Sequence, residues 1–580
     1  MQNVAKILLS ACIWFVGIGE IYSQKIVPLK YRNNESFTYE ETIKIYEKLD
    51  AIHADASLLK WGNTDAGEPL YTFVVNTDEI FDPETIRQSN KSILMIMNGI
   101  HPGEPDGIDA SMIWLDDLLN KRNLNDLLEN VILVVIPVYN VDGMLNRGCC
   151  TRANQNGPSE YGFRGNAQNL DLNRDFIKQE SQNAISFAEI FRKFDPDVFI
   201  DTHVSNGADY PYTFSLLYSS GERLPEPIRS FYLNEMVPTL YKKMGDRKWE
   251  MIPYVNIFNA PPDNGFSAFY DSPRYSSGYT SMFGTLSFTA ETHMLKPYPK
   301  RVEATIDFLD VVTNFTNKNS RKIQLYRNFF KDNLKKQSTI PLRYEIREDT
   351  MSMLKFKTYA YRYEKSKVTG QSQLYFDTNT VIEKYIPYKS SFKVSYSGVK
   401  PEYFVIPYAY TKIAKKLENA GVELQTLMMD SLMDLEAWYL PNVEFKGMYE
   451  GRPFYHKKDT NVVKVQTKIR IPKGSFIVKT GSDLDPFIMN ALHPLSDDSY
   501  LVWGYFASSF DQKEHFSAYI FDAYAQKLLE EDNDLRKEFE AKKDKDKEFA
   551  KNHYAQLNFI YKKSIFAEKT INMYPIYFKY

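Results

Sequence analysis

Residues 98–104 read Asn-Gly-Ile-His-Pro-Gly-Glu and follow directly on the apolar run at 92–97. An imidazole and a carboxylate three positions apart, delivered together at the end of a buried strand, can bite one divalent cation, and zinc accepts nitrogen and oxygen ligands of this kind. His101 and Glu104 are therefore candidate ligands. With eight histidines in the chain, a single His-x-x-Glu fits an ordinary solvated loop equally well. Two further segments change the balance. Residues 197–203 form a second short apolar run ending in His203, and 285–291 form a third ending in Glu291. Open, largely parallel sheets hold ligands outside the carboxyl ends of their strands, so three such endings can converge in one crevice. His101, Glu104 and His203 make a set of two imidazoles and one carboxylate with a position left for water, the composition of a catalytic zinc site. Glu291 is then free to act as a base.

Between these pieces lies Phe-Arg-Gly-Asn-Ala-Gln-Asn-Leu-Asp-Leu-Asn-Arg-Asp-Phe, residues 163–176. With this stretch the chain resembles the zinc carboxypeptidase family, the carboxypeptidase A-like metallopeptidases. That family carries His-x-x-Glu, an arginine shortly before an Asn-Arg pair, a third ligand histidine and a catalytic glutamate, in that order. Here the order is His101 and Glu104, Arg164, Asn173 and Arg174, His203, Glu291, and the step from Arg164 to Asn173 is similar to that of the carboxypeptidase N/E-type branch. The resemblance spans roughly residues 38–315.

The resemblance implies one zinc ion per chain on the three ligands, polarising the scissile carbonyl and lowering the pKa of a coordinated water toward ~7. It implies Glu291 as general base and then acid, and Arg164 as the stabiliser of the developing oxyanion. Arg174 offers a planar fork suited to a substrate's terminal carboxylate, with Asn173 as an additional donor. Such a clamp separates an exopeptidase from an endopeptidase. Family members also close the pocket with a mobile tyrosine before the catalytic glutamate; of Tyr270, Tyr275 and Tyr279, spacing favours Tyr270. For the base of the specificity pocket the candidates are Ser276, fifteen residues before Glu291, and Asp271 or Asp263. His293 would share the face of Glu291 on a continuing strand, and a structural role suits it better than ligation.

Elements able to position these groups can be read around them. Thr38 and Glu41 have the spacing of a capping box, opening a helix to about residue 54. Strands are expected near 57–61, 70–75 and 131–138, and helices over 105–120 and 179–194. Alternating strands and helices predict an α/β fold, with a mixed, mostly parallel sheet between helices. A chain of 580 residues exceeds one domain. The expected division is a signal peptide at 1–24, a catalytic domain at 38–318 and a mixed α/β accessory region at 319–580. In the latter, 355–399 alternate as half-buried strands and 462–479 read as a hairpin. The segment 510–551 reads as helical and heavily charged, and His456, His493, His515 and His553 lack partners for a second catalytic set.

The amino terminus has one lysine and then an apolar run from Ile7 to Ile18, too short for a bilayer, which needs ~20 apolar residues. It fits a cleavable signal peptide, with processing near Ser23 or Gln24. A lipobox reading centred on Cys12 competes less well, because the apolar stretch continues past the cysteine. No other window is membrane-spanning, so a secreted or periplasmic protein is expected. Removal of the leader leaves only Cys149 and Cys150, adjacent in sequence, which rules out a disulfide framework. A net charge of −3 argues against a nucleic-acid surface. The expected activity is a zinc metallocarboxypeptidase acting on peptide or protein substrates. An amidase or endopeptidase of the same fold acting on cell-wall peptides, or a non-catalytic extracellular binding protein, are the alternatives.

Overall fold

Thr38 accepts the backbone N–H of Glu41 while Glu41 accepts that of Thr38, a complete capping box that starts helix α1, Tyr39–Ile52. In the computed structural model the described residues are 25–455 and 461–580. The signal-peptide reading of 1–24, the alternative at Cys12, and His456 lie outside them. Past α1 the chain forms β1 (Ala56–Asn63), β2 (Pro69–Val75), β3 (Ser92–Met97), helix α2 (Asp106–Leu119), β4 (Val131–Ile136), helix α3 (Gln182–Phe194) and β5 (Val198–Ser205). Strands β6 (Phe214–Tyr218), β7 (Met251–Pro253) and β8 (Leu286–His293) follow, and then a helix α4 of 39 residues, Tyr298–Lys336.

These strands make one eight-stranded sheet in the order β1-β2-β4-β3-β5-β8-β6-β7. The four central strands, β4-β3-β5-β8, run parallel, and β1, β2 and β6 add antiparallel pairings toward the edges. β3, β4 and β5 are buried along their whole length, as strands covered on both faces are; β3 and β4 therefore read as near-continuous apolar runs, while β5 turns polar at Asp201, Thr202 and His203. The α/β class with a mostly parallel sheet is therefore the observed one. Close packing leaves no tolerance at Gly107 on α2, where a Cβ would lie 1.9 Å from Thr202 Oγ1 on β5.

Helix α4 runs without interruption through residue 318, the position at which the chain was expected to divide. Its apolar face continues from the catalytic core to Phe330 and Leu334, so the two halves share it. Beyond it, the long strands Ser352–Lys365 and Ser372–Lys389 pair antiparallel, and a six-stranded sheet includes the C-terminal strand Tyr577–Lys579. The hairpin expected at 462–479 does not form. Val463–Ile471 pairs with Ser431–Tyr439, whereas Phe476–Lys479 pairs with Tyr403–Ile406. Strand alternation and a turn signal specify a reversal but not a partner. Four helices between Ala518 and Tyr561 account for the charged segment.

His493 lies in the core of the second half, its ring 5.0 Å from Trp438, with Nδ1 accepting the Leu495 N–H at 3.2 Å. Burial, helped by Lys464 and Arg343, pushes its pKa down from 6.5 to about 3. A depressed folded-state pKa means stability that is whole above the free value and lost as pH falls toward the folded one. His493→Asn keeps an acceptor without the titration. The stability advantage of the unmodified protein over this variant should shrink by about 2 kcal/mol between about pH 7.5 and about pH 5. Urea unfolding at the two pH values measures it, and a constant difference would refute the assignment.

Candidate active site

β3 ends at Met97, and the turn that follows carries His101 and Glu104 before α2 begins at Asp106. β5 carries His203, and in the parallel register of β5 and β8 that residue stands directly beside Glu291. The sheet thus brings the three strand endings into one crevice. His101 Nδ1 lies 3.3 Å from Glu104 Oε1, and His203 Nδ1 lies 3.1 Å from Glu104 Oε2. One ligand atom from each of the three falls within 4.8 Å of the others, and all three side chains are buried.

Each imidazole is held from behind. His101 Nε2 meets Asp171 Oδ1 at 3.0 Å, and His203 Nε2 meets Asp201 Oδ2 at 2.8 Å. A carboxylate behind each ring keeps the proton on Nε2 and turns the Nδ1 lone pair toward the centre, the arrangement of ligating histidines. The charge balance agrees. Burial opposes ionisation of Glu104, yet Arg152 and His101 hold its carboxyl well below the usual range. Burial also opposes the His203 cation, yet Asp201 and Glu104 lift its pKa well above the ordinary value. A cluster that so favours positive charge at its centre suits a divalent cation. The donor set and its geometry fit zinc.

Asp171 and Asp201 were not singled out from sequence. Asp201 could have been, because two positions before His203 on a strand is the same face. Removing its charge should weaken zinc binding by about 10–100-fold in Asp201→Asn, which competition with a chromogenic chelator measures; unchanged affinity would show that the contact is incidental.

Glu291 is set among acids and one imidazole. Burial pushes its carboxyl up to about 8; His203 opposes the shift, and Glu104 and Asp201 add to it. Its Oε2 is buried and has no hydrogen-bond partner among the described residues. The same cavity, about 490 Å³ in volume, is lined by the three ligand residues, Glu291, Arg164, Asn173 and Arg174. Arg164 donates from Nε and Nη2 to Asp171 Oδ2 at 3.1 and 2.8 Å, with Nη1 3.3 Å from His101 Nδ1. Asn173 Oδ1 accepts the Ser276 N–H at 3.1 Å. The Arg174 guanidinium sits 4.6 Å over the ring of Tyr275.

Tyr270 is not part of this cavity. It packs against Tyr344 and Phe392 and under Arg223, lining a different pocket where the two halves meet. Spacing misplaced the choice, because a tight turn at Ser272–Tyr275 brings Tyr275 to the cavity instead; Tyr279 is in the core. Asp271 lines the cavity but is bound by Arg223 at 2.9 Å and Ser219 at 2.7 Å. Ser276 donates to Asp201 at 2.5 Å, and Asp263 is bonded to Tyr361 and Lys384, outside the cavity. His293 accepts from Leu295 N and meets the Ala208 carbonyl at 3.1 Å, a structural position.

Arg152 reached the site without any sequence signal. Its Nη1 donates to Glu104 Oε1 at 2.8 Å and its Nη2 to the Val204 carbonyl at 3.2 Å. Gly103 permits the approach, since a Cβ there would meet Arg152 Cδ at 2.9 Å. Cys149 and Cys150, just before it, form a vicinal disulfide.

A mostly parallel α/β sheet with two imidazoles, a carboxylate and an acid beside them defines a metallohydrolase site. Residues 43–202 match the sequence model of the zinc carboxypeptidase family. Over these residues the chain is similar to the zinc carboxypeptidases, a class of metallocarboxypeptidase hydrolases. Carboxypeptidase 2 of Trichophyton rubrum is 24% identical over 457 residues, 72% of this chain and 74% of its own. That of Trichophyton equinum is 24% identical over 461 residues, with the same coverage. Among solved structures, the metallo-carboxypeptidase from Burkholderia cenocepacia is similar at 16% identity and a TM-score of 0.35, over 49% of this chain and 70% of that one. The carboxypeptidase A from Helicoverpa armigera is similar at 17% and 0.37, over 50% and 74%. Among the described residues no helix is long and apolar enough to cross a membrane.

Proposed function

We propose that the protein removes residues from the C-terminus of peptides outside the cytoplasm, with one zinc ion on His101, Glu104 and His203. The single observation that carries this reading is the juxtaposition of that ligand set with a half-buried Glu291 and with Arg174, in one cavity. Zinc there supplies Lewis acidity toward a carbonyl and makes water a better nucleophile near neutral pH.

The chain's own residues do the rest. Glu291, with an unpartnered Oε2, takes a proton from the attacking water and returns it to the departing amine. Arg164, beside His101, offers donors to the oxyanion. Arg174 takes the substrate's terminal carboxylate, with Asn173 supporting it. Tyr275, beneath Arg174 and inside the cavity, is the tyrosine placed to cover the substrate. Export is supported by the leader-like residues at 1–24 and by the Cys149–Cys150 disulfide, a bond at home in oxidising compartments.

Digestion of a peptide library with free and amidated C-termini, read by mass spectrometry, tests this function. Single residues should be released from the free peptides, and amidation should lower kcat/KM by about 100-fold, the scale of a lost charge-assisted pair. Internal cleavage indifferent to amidation would replace it with an endopeptidase or amidase reading. Zinc uptake with no hydrolysis would replace it with a binding protein.

A further inference from the structure

A small hairpin of the second half, Met448–Tyr449 paired with Arg452–Pro453, reaches the catalytic rim. Its two turn residues, Glu450 and Gly451, both have positive φ, 45° and 75°. Paired left-handed residues match the twist of a two-residue hairpin turn, and glycine meets that demand without strain. The base of the hairpin is anchored. Tyr449 stacks on Trp503 at 5.6 Å and 14°, and Arg452 Nε donates to the Trp503 carbonyl at 2.8 Å. Arg274, bonded to Asp498 at 2.8 Å, lies 4.9 Å over the same Trp503 ring.

The hairpin presents its tip to the loop that carries Asp171 and Arg174. Tyr449 Oη accepts from Arg174 Nε at 3.0 Å. Glu450 Oε2 accepts the backbone N–H of Asp171 at 2.9 Å, and the Glu450 carbonyl accepts from Lys178 Nζ at 3.2 Å. Arg174 Nη1 donates to its neighbour's carbonyl, Asn173 O, at 2.7 Å. With Nε and Nη1 taken and Tyr275 beneath, the plane of the guanidinium is set before any ligand arrives. Among the described residues Nη2 has no hydrogen bond to protein, so that edge is left for a ligand.

We propose that Tyr449 and Glu450 are positioning residues: the hairpin from the second half orients Arg174 for a substrate's terminal carboxylate, so the terminal subsite is completed by residues outside the catalytic domain. The proposal rests on the role given to Arg174 above. Its physical basis is preorganisation. A long arginine side chain that must be ordered on binding loses affinity through rotamer entropy, and one held beforehand does not.

The test uses the full-length zinc-loaded protein and a peptide with a free C-terminus. Tyr449→Phe removes one hydroxyl and keeps the stack on Trp503. KM should rise about fivefold to tenfold, the net worth of one hydrogen bond, with kcat changed less than about twofold. The inhibition constant of the released amino acid should rise by the same factor, and zinc content should stay at one per chain. Glu450→Ala should act in the same direction, and Glu450→Gln, which keeps an acceptor for the Asp171 N–H, should restore most of the loss. Unchanged KM and product inhibition in both Tyr449→Phe and Glu450→Ala would overturn the proposal. So would a fall in kcat alone, which would put the hairpin's effect at the reacting centre. If the unmodified protein cleaves amidated peptides as readily as free ones, the role of Arg174 itself fails, and this inference with it. That arm is read on the unmodified protein, so the two failures are distinguishable.

Discussion

Glu291→Gln should retain zinc at one ion per chain and lose about 10³-fold in kcat, the middle of the range for a positioned general base. The substitution is nearly isosteric, so the cavity wall formed by β8 should be kept. It removes only the ability to take up a proton. In the native protein that ability is well provided for. The side chain is half-buried and carries an oxygen with no hydrogen-bond partner among the described residues, free to accept. Its place beside His203 is enforced by the ladder between β5 and β8, so it does not depend on a mobile loop. Steady-state turnover of a free-carboxyl peptide, with metal content by mass spectrometry on the same sample, measures both halves of the expectation. A variant that kept more than about a tenth of native kcat would remove Glu291 from the role, because a general base contributes at least about 100-fold.

Glu104→Ala should have the second large effect, on the metal and not on the chemistry alone. Zinc content should fall below about a tenth of an ion per chain after dialysis, because two imidazoles make a poor site for a cation that favours four ligands. The loss extends past one ligand. Glu104 also accepts from Arg152 at 2.8 Å and from the backbone N–H of Val204 at 2.8 Å. Truncation leaves the buried Val204 N–H without its acceptor, which costs about 1–3 kcal/mol in stability. The variant should therefore melt at lower temperature than the native apoprotein, a comparison that separates the lost acceptor from the lost metal. Retention of a full zinc equivalent after dialysis would show that the cation is held elsewhere.

Much of the catalytic half was legible in the sequence because its elements announce themselves locally. Strands buried on both faces begin as apolar runs, and so Ser92–Met97 and the Val198–Ile200 start of β5 stand out, each followed closely by a ligand. The capping box at Thr38 is local chemistry as well. The tyrosine was misread because its reach depends on a turn, and Ser272–Tyr275 closes on itself in a way that no spacing rule encodes. The failed hairpin at 462–479 has the same origin: alternation marks a strand, while its neighbour comes from a segment distant in the chain.

His101, Glu104, His203 and Glu291 could be named from residue types at strand ends, because a metal centre needs those types and an open parallel sheet has only one place to gather them. Arg152, Asp171 and the Tyr449–Glu450 turn could not, since each acts through a contact between segments far apart in the chain. A side chain's partner in such a contact follows from how helices and sheets close on one another, and that closure is a property of the whole packed chain and not of any stretch of it.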